Sequence, residues 1–115
     1  MSSGGSGIVY KLVPSSLWPT QGQAFDGAPV DLADGFIHFS TKAQVAETAA
    51  RHFAGQDNLL LVAIDAGKLG EALKWEPSRG GDLFPHLYGP LPLSAVLWAR
   101  PLKLGRDGRH DFSEL

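Results

Sequence analysis

The run Asn58-Leu59-Leu60-Leu61-Val62-Ala63-Ile64-Asp65 is apolar over the length of one strand and has no polar face. A continuous apolar strand is expected where both of its faces are covered, so this stretch predicts a central strand. Upstream, IVYKLV (8–13) is a second short β-rich segment, closed by Pro14 and two serines that allow one helical turn through Ser16-Leu17-Trp18 before Pro19. Downstream, AVLWARPL (95–102) supplies another apolar strand. Between them GFIHFS (35–40) reads as a strand that opens at Ser40-Thr41 into a helix, with Thr41 and Gln44 at capping-box spacing. That helix is expected to run to about Phe53. Its apolar stripe is Val45, Ala46, Ala49 or Ala50, and Phe53, mostly small residues that permit close approach to a sheet.

The remaining segments are less regular. Thr20 to Asp34 is polar, carries Gly and Pro, and lacks an apolar period, which predicts a long surface loop of the kind that often carries function. Asp65 can cap a short helix reaching Leu73, interrupted by Gly67 and Gly70, before LKWE (73–76) becomes extended again. PSRGGD (77–82) is a turn, and Pro85 inside LFPHLYG (83–89) restricts that segment to an edge, a strand start or a bulge. No solenoid or propeller period is present. The sum is a compact single α+β domain over residues 8–104, with a mixed or mainly antiparallel sheet of about five strands and two or three short helices. Residues 1–7 read as a flexible segment and 105–115 as a C-terminal tail.

Composition narrows the chemistry. With 43% hydrophobic and 19% charged residues in 115, the chain is globular rather than disordered and long enough to bury roughly two-thirds of its unfolded surface. The absence of cysteine excludes disulfides, thiol catalysis and cysteine-ligated zinc or iron–sulfur sites. A net charge of −2 with interspersed signs predicts no general attraction to nucleic acid or to an anionic membrane. The basic residues Arg100, Lys103, Arg106 and Arg109 are diluted by Asp107, Asp111 and Glu114, which predicts a solvated tail. No apolar run approaches the roughly 20 residues that span a bilayer, and the opening residues lack a basic stretch followed by an apolar one, so a cytoplasmic location is expected. A monomer, or a weak homo-oligomer paired through an exposed strand, is the expected state.

Alternation along a strand places Phe36, His38 and Ser40 on one face and groups Phe84, His86 and Tyr88 in the same way. Two separate segments thus offer the order aromatic, histidine, hydroxyl, and they would converge if their strands meet across one cleft. A histidine and a hydroxyl two residues apart stand about 7 Å from each other, a spacing for gripping two parts of a ligand rather than for one relay. Glu76, at a strand end between Trp75 and Pro77, could face the same cleft. The plain alternative is that each histidine is a satisfied core ring, Ser40 a helix cap, Trp75 a core residue and Glu76 a surface carboxylate. No metal site is expected, because the 38/86 pair lacks local ligand spacing and Glu76 or Asp82 would join it only through folding. There is no Gly-x-Ser-x-Gly elbow and no Gly-rich phosphate loop. His52 on the helix and His110 in the tail are expected at the solvent, outside the site.

Taken together, GFIHFST (35–41), TAARHF (48–53), LLLVAID (59–65), LKWE (73–76) and FPHLYGPL (84–91) resemble a small bacterial family, domain of unknown function 952, over nearly all of residues 8–102. In fold that family is similar to the ADP-ribosyltransferase superfamily, whose members bind NAD in a cleft between two small sheets. The resemblance implies that His38 anchors the adenosine ribose, with Ser40 beside it, and that His86 or Tyr88 meets the nicotinamide. It also implies a late glutamate. Here Glu114 lies in the tail outside the matching blocks and Glu76 precedes the second histidine motif, a departure that bears on catalysis more than on binding. The expectation is therefore binding of NAD or ADP-ribose, with ADP-ribosyl transfer or NAD glycohydrolysis as the activity. His38, His86 and Glu76 are the candidate catalytic residues, and His38, Ser40, His86, Tyr88 and Trp75 the candidate ligand contacts. The alternative is a small-metabolite binding domain without turnover, or a structural or interaction domain.

Overall fold

The strand β4 (Leu59–Asp65) runs between β1 (Ile8–Pro14) and β8 (Val96–Leu102) and is antiparallel to both. This computed structural model describes residues 7–19, 21–113 and 115, with the side chain of Arg79 excepted. The strand is covered on both faces, and its alternation divides the interior in two. Val62 and Ile64 join Val9 and Val13 in one buried cluster, whereas Leu59, Leu61 and Ala63 join Tyr10 and Leu12 in the other. The second cluster is closed by α2 (Lys42–His52), which contributes Val45 and Ala49. Gln44 accepts a hydrogen bond from the Thr41 N–H at 3.0 Å, the reciprocal half of the predicted capping box.

A second sheet has the order β3-β6-β5, from β3 (Ile37–His38), β5 (Leu73–Pro77) and β6 (Leu83–Leu87). The chain at 37–40 sews it to the first. Phe39 N–H donates to the Pro85 carbonyl at 3.0 Å, and Ser40 exchanges both backbone hydrogen bonds with Tyr10 of β1 at 2.8 Å. Gln44 Nε2 also donates to the Leu83 carbonyl at 2.8 Å, fixing the start of α2 on β6. A third, two-stranded sheet pairs β2 (Ala24–Phe25) with β7 (Leu91–Pro92).

The α+β class is as expected, but the described residues form eight strands in three antiparallel sheets rather than about five in one. The extra pairing, β2 with β7, is only two residues long and leaves no periodicity in the sequence. The expected loop from Thr20 to Asp34 contains a second helix, α1 (Pro29–Asp34), although Thr20 itself lies outside the described residues. Pro29 presets φ at its first turn, and Gly35, at φ 87°, donates to the Asp31 carbonyl and ends it in the left-handed conformation. The helix expected after Asp65 is two 3-10 turns at 66–68 and 70–72, the first capped by Asp65 Oδ1 on the Gly67 N–H at 3.0 Å.

The C-terminal segment keeps Arg100, Lys103, Arg106 and Arg109 exposed, as expected, but its apolar side chains dock. Leu104 pairs with His110, and Phe112 and Leu115 pack against the second cluster, because two apolar side chains among the charges outweigh the polar composition. Residues 1–6 of the expected flexible segment, and Glu114, lie outside the described residues. Among the described residues no helix is long and apolar enough to cross a membrane.

Since β4 feeds both clusters, Ile64→Ala should lower unfolding free energy by about 2–5 kcal/mol in urea titration. Leu97→Ala, at a half-exposed position of β8, should change it by no more than about 0.5 kcal/mol.

Candidate functional site

The register of β3 and β6 sets His38 directly opposite His86, and their ring centroids are 5.6 Å apart. Phe36 stacks on His86 at 4.1 Å and touches His38 at 4.7 Å and Tyr88 at 5.3 Å. The two aromatic-histidine-hydroxyl segments therefore converge on one face, as alternation predicts. Ser40 is buried, and its hydroxyl lies 3.0 Å from that of Thr48 on α2. Thr48 in turn donates to the Gln44 carbonyl at 3.1 Å, so Ser40 is the donor in the pair and ties the seam between the sheets to the helix.

His38 is held by carboxylates at both ends of its ring. Nδ1 meets Asp31 Oδ1 at 2.6 Å and Nε2 meets Asp34 Oδ2 at 2.9 Å. An ionised carboxylate only accepts, so both bonds form together only when the ring carries a proton on each nitrogen. Asp31 is almost fully buried and also receives Lys11 Nζ at 2.9 Å, the Ala28 N–H at 2.8 Å and the His38 N–H at 3.1 Å. Burial pushes its carboxyl pKa up, but the hydrogen bond from His38, the charge and hydrogen bond of Lys11 and the Ala28 amide together hold it down at about 2. Lys11, buried in the apolar face of β1, is pushed below the ordinary lysine value by its burial, which the Asp31 charge only partly offsets.

His86 is buried and has a carboxylate of its own. Glu76 Oε1 accepts from His86 Nδ1 at 2.8 Å and from the Tyr88 hydroxyl at 2.7 Å. These bonds, the tyrosine's first, keep the Glu76 carboxyl below the usual range, and the same contact raises the Tyr88 phenol. Glu76 reaches His86 because it pairs with Phe84, two residues earlier on the same face of β6. Trp75 alternates to the opposite face, opposite Pro85, and is half-exposed; the fold does not bring it to the histidines.

A cavity of about 510 Å³ opens where β1, α2 and the β3–β6 pair meet. His38, Ser40 and His86 line it, with Lys11, Asp34 and Thr48; its apolar wall includes Leu12, Phe39, Phe53 and Phe84. Glu76, Tyr88 and Trp75 are not in the lining. His52, expected outside the site, lies in the wall while remaining exposed, because α2 turns its last turn toward β1. His110 is half-buried rather than at the solvent, its Nε2 donating to the Gln56 carbonyl at 2.6 Å. A smaller hollow of about 180 Å³ between Trp98 and Phe112 holds none of the candidate residues.

Lys11, Asp31 and Asp34 were not recognisable as a site from composition. One signal was present: Lys11 interrupts IVYKLV on the same face as Val9 and Val13, and a lysine there requires a buried partner.

Residues 12–99 match the family described as "Protein of unknown function (DUF952)", and the chain belongs to that family. It is similar to protein CC0527 from Caulobacter crescentus. The crystal structure of that protein is 48% identical, with 93% of this chain and 96% of that chain covered and a TM-score of 0.88. Its solution NMR structure is 49% identical, covering 93% and 94%, with a TM-score of 0.82. No curated protein matches the chain.

Because the folded pKa of Asp31 is depressed from 3.8 to about 2, its contribution is fully present above about pH 4 and is lost as pH falls toward 2. The loss should be about 2 kcal/mol in acid titration of unfolding, and Asp31→Asn should remove that part of the acid slope while lowering stability at neutral pH.

Proposed function

We propose that this DUF952 protein binds a small nucleotide or sugar-bearing metabolite of the NAD or ADP-ribose type in the cavity lined by His38, Ser40 and His86. The observation that carries the reading is their convergence. Two histidines from separate segments and a serine from the seam line one cavity whose volume of about 510 Å³ falls within the roughly 300–1,000 Å³ of small-ligand sites. The aromatic wall suits a planar base, and the Ser40 oxygen and the His86 imidazole suit ribose hydroxyls. The charge of Lys11 is already answered by Asp31, so the lining favours the base and sugar of such a ligand over its phosphates. The ADP-ribosyltransferase-like reading of the fold rests on the sequence blocks and is consistent with a cleft at the junction of two small sheets.

The associated activities are NAD glycohydrolysis and ADP-ribosyl transfer. Both develop positive charge on the ribose carbon as nicotinamide leaves, and a carboxylate or oriented dipole lowers that barrier. Asp34 is the carboxylate in the lining, with Oδ2 bonded to His38, whereas Glu76 lies outside the lining and is committed to His86 and Tyr88. That commitment is what favours the second reading, a binding domain without turnover.

Calorimetric titration with NAD⁺ and ADP-ribose should give saturable binding, weakened at least about tenfold, or about 1.4 kcal/mol, in His38→Ala and in His86→Ala. Absence of binding to the wild-type protein, with circular dichroism showing it folded, would overturn the reading.

A further inference from the structure

The pair Glu76 and His86 does more than supply a ligand contact. His86 Nδ1 lies 2.8 Å from an oxygen of Glu76, and the Tyr88 hydroxyl donates to that same oxygen at 2.7 Å. A carboxylate that only accepts fixes the neutral imidazole as the Nδ1–H tautomer, which leaves the lone pair on Nε2. Among the described residues no group bonds Nε2, and no buried side-chain nitrogen or oxygen there lacks a partner. Nε2 is therefore the nitrogen open to the cavity that His86 lines. Phe36, stacked at 4.1 Å, holds the ring plane, so the orientation exists before a ligand arrives.

We infer that His86 is a general base acting on water in this cavity and that Glu76 is its positioning residue, which makes the site hydrolytic toward the N-ribosyl bond of an NAD-type ligand. The inference rests on the binding reading above. Water is the acceptor assigned because His86 is only 6% exposed, so that its nitrogen is approached from within the cavity it lines rather than from the outer surface. In the step, Nε2 takes a proton from the water as its oxygen bonds to the ribose C1′. The C1′–N bond breaks with its electron pair passing to the pyridinium nitrogen, which leaves as neutral nicotinamide. The products are ADP-ribose, nicotinamide and one proton, which His86 returns to solvent. The Glu76 carboxylate stabilises the imidazolium in between, the role of the third group in a nucleophile–base–carboxylate array. This accounts for Glu76 standing before the second histidine motif: its task is performed on the ring, not on the sugar.

The test couples nicotinamide release from NAD⁺ with calorimetry and with long-range proton–nitrogen NMR of the histidine rings. Wild type should release nicotinamide and show His86 as the Nδ1–H tautomer. His86→Gln should lose at least about 100-fold in kcat. Glu76→Leu, which removes the acceptor of Nδ1–H, should lose about 10- to 100-fold in kcat with KM within about twofold, and its His86 should leave the Nδ1–H tautomer, a change that loss of packing alone would not produce. Binding of NAD⁺ without nicotinamide release overturns the base assignment and leaves the binding reading intact; absence of binding overturns both. Should the variants fail to fold, an Nε2–H tautomer of His86 in the wild type is by itself sufficient to overturn the assignment.

Discussion

The buried carboxylate of Asp31 is the constraint on which the arrangement depends. Lys11 sits at the centre of β1 on the face that contributes Val9 and Val13 to the core, where an unpaired ammonium is untenable. The answering charge comes from α1, a helix of six residues that Pro29 starts and Gly35 stops. Once Asp31 is placed, its remaining capacity is taken by the amide of Ala28 and by both the amide and the ring of His38. One side chain thus joins β1, α1 and β3. Such a group contributes position more than net stability, since its burial costs nearly as much as its pairing returns.

The second consequence concerns the seam. Residues 37–40 pair first with β6 and then, through Ser40, with β1, so the cavity wall is continuous backbone across two sheets. His38 enters that wall already bound by two carboxylates, and His86 enters it bound by one, with no partner on its second nitrogen among the described residues. Two histidines in direct register therefore have different chemical capacities. His38 has both ring nitrogens engaged and so fixes its part of the wall, whereas His86, on the proposed reading, keeps its Nε2 for a ligand or a water.

Much of this was legible in the sequence and some was not, for identifiable reasons. The unbroken apolar run at 58–65 showed a strand covered on both sides, and alternation was enough to put Phe36, His38, His86 and Tyr88 on shared faces. Register was beyond it: nothing in GFIHFS or FPHLY indicates that His38 and His86 lie opposite each other. The role of Glu76 was hidden for the same reason, because reaching His86 depends on the pairing of β5 with β6. Parity could have separated Trp75 from Glu76, since adjacent strand residues face opposite ways. The polar character of 20–34 concealed α1, whose helix is too short to show a period, and the charges of 105–115 concealed the docking of Phe112 and Leu115.

The central claim is that His38 and His86 face one ligand in one cavity. Its most direct measurement is a titration of nitrogen-labelled protein with ADP-ribose, following the ring nitrogens of all the histidines by NMR. The account predicts that the signals of His38 and His86 move together along one saturable curve while that of His110, bonded to Gln56 away from the cavity, stays fixed. Movement of neither cavity histidine, or of His38 and His86 along unrelated curves, would contradict it.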